Sequence, residues 1–335
     1  MSEEHFTYFR VQNFKGFRDL ELKNIGQFNL ILGDNNVGKT SLLEAFLWDM
    51  DFEIFQSKLA RILTLKGLGS HEKQSLFKFF INSELVANNK ECKLIVSFSK
   101  SLFPDRIDET TYFFDFQNGL VELTSTFNLE ERSLSLGKYS HVEIPFIPFS
   151  YGFSNDLVDN YSKYVQKNRA IKHALINELR RIDQRIEDIE IDISRFKNEP
   201  SLIVYFQGQN GSIPLGMLGD GIIKLFRIFI EIIISRNRIL LIDEIDTGIH
   251  YSRLKDYWKV ILESAEENNV QLFSTTHNKE CIEAYEQAIK ELGEEAISKS
   301  RVISLKKTPD THDVVAYTSA FDVLESAVAL GNDLR

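Results

Sequence analysis

The chain has 335 residues, of which 43% are hydrophobic and 26% charged, so it can build a sizeable core and is neither disordered nor low in complexity. That length allows two domains or one large domain with an insertion. The formal net charge of -10 excludes the strongly basic balance of a dedicated nucleic-acid binder. It does not exclude a basic patch on one face of the protein.

The two cysteines and the apolar runs point to a cytoplasmic protein. Cys92 and Cys281 lie far apart in sequence and have no metal-ligand spacing, so we expect buried free thiols. Acidic residues stand near the N-terminus, where a signal peptide needs a basic region. The longest apolar run, residues 225–234, is interrupted by charges and is shorter than the ~20 residues that span a bilayer. We therefore expect no membrane association.

The first 50 residues predict three strands and a helix. Strands are expected at residues 6–14, 20–25 and 28–33, with a turn at Lys15-Gly16, and the continuous apolar run FNLILG is typical of a buried strand. Helical spacing follows in residues 40–50. From about residue 51 to 150 the patterns are mixed, with a helix expected near 72–87 and strands in CKLIVSFS and TTYFFDF.

Residues 155–196 are rich in charge and contain no Pro or Gly. Their apolar residues recur at spacings of three and four, which predicts one or two amphipathic helices. These residues are Ile171, Leu175, Ile176, Leu179, Ile182, Ile186 and Ile189. Such a lobe packs on the protein or forms a short coiled-coil arm. A strand at 201–207, a hairpin turn at Asn210-Gly211 and alternating helices and strands to about residue 290 predict a wound α/β sheet.

A phosphate-loop motif lies between the predicted strand at 28–33 and the helix after it. The segment GDNNVGKT fits GxxxxGK[ST], and this context disfavours a chance glycine-rich turn. The glycines let backbone N–H groups surround the β-phosphate, and the helix N-terminus adds a positive dipole end. The lysine can bridge the β- and γ-phosphates, and the threonine hydroxyl can ligate Mg²⁺. The predicted nucleotide-binding residues are Gly33, Asn35, Asn36, Gly38, Lys39, Thr40 and Ser41.

Two later strands end in polar residues that suit nucleotide hydrolysis. The strand RILLI ends at Asp243 and Glu244, which as an isolated pair would more often be a solvated terminus. With a phosphate loop upstream, Asp243 is predicted to ligate Mg²⁺ together with Thr40, and Glu244 to polarise the attacking water. The strand 271–276 ends at His277, either a γ-phosphate sensor or a structural histidine. The predicted catalytic residues are Lys39, Asp243, Glu244 and His277.

A second glycine-rich turn, LGMLGDG at residues 215–221, precedes the amphipathic segment 222–234. It is either a plain helix start or a second anion site, because a helix start exposes N–H groups that lack intrahelical partners. Gly219, Asp220 and Gly221 are the predicted phosphate-binding residues of this turn.

The order of these motifs resembles ABC-class ATPases of the SMC, RecF and OLD kind, and most closely the bacterial ABC-type AAA-family ATPases related to OLD proteins. The resemblance rests on VQNFKGFRDLEL, GDNNVGKTSLLEA, IPFIPFS, PLGMLGDGIIKLFRI, LLIDEIDTGIH, FSTTHNKECIEA and ESAVALGNDLR. It implies an α/β P-loop NTPase with an ABC-type ATPase head and an inserted helical lobe. We expect the head at residues 1–50 and 200–335, a mixed α/β insertion at 51–154 and the helical lobe at 155–199.

The resemblance also implies ATP and Mg²⁺ as cofactors and a homodimer or higher oligomer. The signature of one subunit would close over the nucleotide of the other, with Asp246 in the loop that contacts the partner. Gly219 stands where the usual signature serine would be, so turnover is expected to be slow. Lys224 is the polar or basic position expected after the glycines. Gln74 and Gln117 are candidates for the glutamine loop, without spacing to support either. No acidic TOPRIM cluster and no long coiled coil are visible.

The leading functional hypothesis is an ATP-hydrolysing switch that regulates a separate effector, a nuclease or toxin, in bacterial anti-phage defence. That cellular role rests on family analogy. A DNA-repair or DNA-clamping ATPase is the second hypothesis, and under this hypothesis the chain would bind nucleic acid. The ATP-binding subunit of a transporter is disfavoured because no coupling surface is recognisable. A non-hydrolysing scaffold that only holds ATP also stays open.

Overall fold

The computed structural model describes residues 5–48, 91–100, 105–115, 120–127, 130–131, 144–148, 155–193 and 200–331. The chain forms two compact units, and each is described by itself. The first comprises Met1–Ile144 with Ser300–Arg335, and the second Pro145–Lys299. The predicted helix near 72–87 and both glutamine-loop candidates, Gln74 and Gln117, lie outside the described residues.

The first unit contains an antiparallel sheet with strand order β2-β1-β4-β5-β6-β7. It also contains β3, which pairs in parallel with β14, and β14 pairs antiparallel with β15. The strands are β1 (Phe6–Phe14), β2 (Phe17–Leu22), β3 (Phe28–Gly33), β4 (Glu91–Lys100), β5 (Asp108–Asp115), β6 (Leu120–Phe127), β7 (Glu130–Glu131), β14 (Ser300–Lys307) and β15 (Val314–Ala320). The helices are α1 (Lys39–Ala45) and α8 (Phe321–Ala329).

The start of the first unit follows the predicted order with shifted boundaries. The turn at Lys15-Gly16 is confirmed, but β2 begins at Phe17, three residues before the predicted strand. The reason is that Phe14 pairs with Phe17 directly across this tight turn. Helix α1 ends at Ala45, before the predicted residue 50, because the chain tightens into i to i+3 hydrogen bonds there.

The second unit combines a three-stranded antiparallel sheet, order β11-β10-β9, with a parallel group in which β12 pairs with β13 and with β8. Its strands are β8 (Phe146–Ile147), β9 (Ile186–Asp192), β10 (Ser201–Phe206), β11 (Ser212–Pro214), β12 (Ile239–Ile242) and β13 (Gln271–Thr275). Its α-helices are α2 (Asn155–Asn160), α3 (Arg169–Ile182), α4 (Asp220–Ile234), α5 (Leu254–Glu267), α6 (Lys279–Leu292) and α7 (Glu294–Lys299), and a π-helix occupies Tyr161–Gln166.

The amphipathic helices predicted within residues 155–196 are only partly confirmed. Helices cover residues 155–166 and 169–182, but Ile186–Asp192 form strand β9, so the helical prediction is wrong there. The register of β9 against β10 shifts between Tyr205 and Phe206, which face Asp188 and Ile186. Because of this irregularity, Ile186 and Ile189 are both buried although they are three residues apart. In the sequence, the same spacing of three is typical of a helix.

The remainder of the second unit confirms the predicted alternation, because α4, β12, α5, β13 and α6 follow one another along the chain. Every residue of β12 and β13 is buried, as expected for strands covered on both faces. Strand β12 is wholly apolar, whereas β13 also buries the polar residues Gln271, Ser274 and Thr275. Both cysteines are buried free thiols, as predicted, and burial raises the pKa of Cys281 to about 12.

In the part of the chain that the structure describes, every helix is too short or too polar to cross a membrane.

Candidate nucleotide-binding and catalytic site

The phosphate loop connects β3 to α1 in the first unit, and its two glycines are required by the fold. Gly38 has φ 112°, a left-handed conformation, and a Cβ there would lie 2.9 Å from Cε1 of buried Phe17. A Cβ on Gly33 would lie 2.7 Å from the carbonyl oxygen of Leu305 on β14. The loop therefore turns tightly over β2 and β14, with no room for side chains at these positions.

Lys39 points back into this loop. Its side chain is buried, with the residue 9% exposed, and Nζ donates to the carbonyl oxygens of Gly33 at 2.7 Å and Asp34 at 3.0 Å. Asn35 and Asn36 are exposed at the loop tip. Two backbone carbonyl oxygens thus hold the ammonium group of Lys39 inside the loop, and this ammonium group is the hydrogen-bond donor that the loop offers to a polyphosphate.

Helix α1, which carries Lys39, Thr40 and Ser41, is tied to the neighbouring strands by a buried charge. Thr40 and Ser41 are partly exposed at its start. Glu44 of the same helix is fully buried and forms an ion pair with Lys15 in the turn between β1 and β2. Burial of a carboxylate is tolerated when it is paired, so this contact fixes the helix behind the phosphate loop.

The acid pair follows β12 in the second unit, and Asp243 is held by its neighbours on both sides. Asp243 is 2% exposed. Its N–H donates to the carbonyl oxygen of Ile147 on β8 at 2.8 Å, and its Oδ1 accepts from the Thr275 hydroxyl at 2.7 Å. A carboxylate in a fixed position offers the hard oxygen ligand that Mg²⁺ prefers.

Glu244 is held by its backbone while its carboxylate faces solvent. Its φ of 45° is left-handed, and its N–H donates to Thr275 Oγ1 at 2.8 Å. The side chain is 36% exposed, and Oε1 lies 3.6 Å from Nδ1 of His277, the residue predicted as a sensor. Strained backbone of this kind clusters at functional sites. The structure therefore brings Asp243, Glu244 and His277 together around the ends of β12 and β13.

The glycines of the second turn differ from each other. Gly219 precedes α4, is exposed, and would have nothing within 4 Å of an added Cβ. Asp220 beside it is also exposed. A Cβ on Gly221 would lie 2.8 Å from Cδ1 of Ile249 and 3.1 Å from the carbonyl oxygen of Gly248. Gly221 is thus required by packing within its own chain, whereas Gly219 is open to a ligand or partner.

Sequence reasoning missed the hydroxyl residues that hold the acid pair. Thr275 contacts both Asp243 and Glu244, and the hydroxyl of Thr276 donates to Oδ1 of Asp246 at 2.7 Å. A signal was present, because two threonines end the strand whose parallel neighbour ends in the acids. Carboxyl ends of parallel strands meet at one sheet edge, which places such hydroxyls beside the carboxylates.

A phosphate loop after a buried strand, together with a parallel αβ unit that ends in an acid pair, defines an α/β P-loop NTPase. The chain belongs to the family described as "AAA domain, putative AbiEii toxin, Type IV TA system", whose model matches residues 28–283.

Two curated relatives extend the comparison. An "ATP/GTP phosphatase" of Helicobacter pylori is 24% identical over 326 residues, covering 84% of this chain and 88% of that protein. The "Uncharacterized protein MJECL10" of Methanocaldococcus jannaschii is 32% identical over 123 residues, covering 35% of this chain and 53% of that protein.

Solved structures show the fold. An SMC head bound to the C-terminal winged-helix domain of ScpA has a TM-score of 0.58 at 10% identity, covering 96% of this chain and 99% of that one. The SMC head domain from Thermotoga maritima has a TM-score of 0.51 at 12% identity and covers 94% of this chain and 99% of that one. The fold is therefore that of an SMC- or ABC-type ATPase head.

Proposed function

We propose that this chain is a Mg²⁺-dependent ATPase that acts as a nucleotide-operated switch. The observation that carries the proposal is the phosphate loop, where the buried ammonium group of Lys39 is held inside the loop by the carbonyl oxygens of Gly33 and Asp34. The name of the Helicobacter relative, "ATP/GTP phosphatase", supports hydrolysis of the bound nucleotide.

Each polar residue has a distinct task in this proposal. Lys39 binds the β- and γ-phosphates, and Thr40 with Asp243 would hold Mg²⁺, which neutralises phosphate charge when bound. Glu244 accepts the proton of the attacking water because its carboxylate faces solvent while its backbone is fixed. His277, 3.6 Å from Glu244, orients that carboxylate and contacts the γ-phosphate.

The switch operates between two copies of the chain. Gly219 and Asp220 are exposed and Gly219 has open space above it, so the turn before α4 can approach a nucleotide on a second copy. Asp246 lies in the loop after the acid pair, held by Thr276, where it would contact the partner. ATP then closes a homodimer and hydrolysis reopens it.

The cellular role that fits best is regulation of a separate effector, a nuclease or toxin, in bacterial defence against phage. The family description refers to a type IV toxin–antitoxin system, and this supports a role in bacterial defence. The second candidate is a DNA-clamping ATPase, and the likeness to SMC heads favours it.

Phosphate release from ATP and GTP by the purified chain, with and without Mg²⁺ and duplex DNA, tests these proposals. We expect Mg²⁺-dependent hydrolysis that does not respond to DNA. Hydrolysis stimulated by DNA would favour the clamp, and nucleotide binding without hydrolysis would favour the scaffold.

A further inference from the structure

Lys224, on the second turn of α4, is buried beside the acid pair. The residue is 4% exposed, and its Nζ donates to the carbonyl oxygen of Glu244. A lysine in such a place is unusual, because burying an ammonium group is costly unless it is well paired. Lys224 is therefore expected to have a function other than packing.

The carbonyl oxygen of Glu244 is a point where several donors converge. Besides Lys224, it accepts from the N–H of Thr247 at 3.1 Å and from the Thr247 hydroxyl at 2.9 Å. These bonds orient a peptide group whose residue has the left-handed φ of 45°. Because Thr275 fixes the N–H of the same residue, the backbone of Glu244 is held at both ends.

Helix α4 and the loop after the acid pair also touch at a second point. Gly221 packs so closely on Gly248 and Ile249 that a Cβ would lie 2.8 Å from the Ile249 side chain. The exposed turn at Gly219 is therefore linked to Glu244 through one helix turn and the Lys224 bond.

We propose that Lys224 is a positioning residue that fixes the backbone of Glu244 and transmits the position of the Gly219 turn to it. This inference rests on the proposed ATPase function. Loss of the ammonium group releases the Glu244 peptide, so its carboxylate is misplaced even though nucleotide is still bound. Lys224 itself touches no substrate in this role.

The chain offers a matched control on the same helix. Arg227 is also buried, but its guanidinium group pairs with Asp156 of α2 at 3.1 and 3.2 Å. Lys224→Met and Arg227→Met each remove one buried cation from α4. We expect Lys224→Met to lower kcat by between about 10- and 100-fold, with ATP affinity close to wild type. Arg227→Met should keep wild-type turnover per folded molecule, and Lys224→Arg should recover part of the loss.

Hydrogen–deuterium exchange of the full chain provides a readout that does not depend on hydrolysis. In Lys224→Met, amides of residues 244–249 should exchange faster, whereas Arg227→Met should affect residues 155–166 instead. Equal turnover in the two methionine variants, or unchanged exchange at 244–249, overturns the positioning role. If the wild type itself hydrolyses no ATP, the proposed function fails, and the exchange experiment still decides the contact of Lys224.

Discussion

Two buried lysines, Lys39 and Lys224, make similar contacts in different surroundings. Each donates from Nζ to backbone carbonyl oxygens, Lys39 in the phosphate loop and Lys224 at the acid pair. Lys39 lies in a loop whose exposed tip can admit a polyphosphate. Lys224 lies on the buried side of α4, near the carboxylates of Asp243, Glu244 and Asp246.

This difference separates a cation that binds a ligand from a cation that orders the protein. Burial lowers the pKa of Lys224 to about 8, and the nearby carboxylates only partly oppose this effect. A ligand-binding lysine exchanges its carbonyl partners for phosphate oxygens, whereas an internal lysine keeps its partner throughout. Substitutions at the two positions should therefore have different consequences.

Removal of the phosphate-loop cation should have the largest effect. Lys39→Ala is expected to abolish ATP binding or nearly so, because its charge-assisted hydrogen bonds to phosphate are lost. Isothermal titration calorimetry with ATP and Mg²⁺ measures this. Lys23→Ala, which removes an exposed lysine in the same unit, is the control and should bind normally. Unchanged affinity in Lys39→Ala would contradict the phosphate-loop assignment.

Glu244→Gln should separate binding from chemistry. We expect ATP to remain bound while hydrolysis slows by ~10²-fold or more, the scale expected when a positioned general base is lost. Single-turnover phosphate release checks this, and light scattering should detect a trapped ATP-bound dimer. Glu283→Gln, on the exposed side of α6, is the matched control. Wild-type turnover in Glu244→Gln would show that another group activates the water.

A mixture of two inactive variants should test the shared site. Gly219→Glu places a negative side chain in open space, where it would repel the partner's γ-phosphate, whereas a side chain at Gly221 clashes within its own chain. In a heterodimer of Lys39→Ala and Gly219→Glu chains, one composite site carries both changes and the other carries neither. About a quarter of wild-type hydrolysis should return if subunits mix randomly and the sites are independent.

Subunit exchange must be shown separately, for example with differently tagged chains, and Gly219→Ala should remain active as the control. Demonstrated heterodimers that hydrolyse no ATP would mean that the two sites require each other or that the turn acts within one chain. ATP-dependent dimerisation of the wild type separates those two outcomes.

The smallest expected effect is a pH dependence of stability at Lys224. The unfolded chain keeps this proton up to the ordinary pKa of 10.5, whereas the folded chain begins to lose it near a pKa of about 8. The unfolded state therefore binds more protons in this window, and the folded state gains stability as pH rises.

Relative to Lys224→Met, the wild type should gain about 1 kcal/mol in its free energy of unfolding between pH 7.5 and 9. Chemical denaturation at both pH values measures the difference between the two proteins. A constant difference would show that Lys224 keeps an ordinary pKa in the folded state.

The sequence by itself determined the elements around the phosphate loop and the wound αβ order of the second unit. GDNNVGKT requires particular backbone angles at its glycines, and the apolar runs before Lys39 and Asp243 suit only buried strands. Such signals are local, because the residue types that carry them are adjacent in the chain. The acid pair and His277 were also predictable in this way, as polar residues at strand ends.

Only the tertiary structure decided the remaining features, because they depend on which distant segments touch. Ile186 and Ile189 have helical spacing, yet pairing with β10 and a shifted register make them part of a strand. Gly219 and Gly221 look equivalent in the sequence, but packing against Gly248 constrains only the second. The partner of Lys224 lies twenty residues further along the chain, a contact that no local pattern encodes.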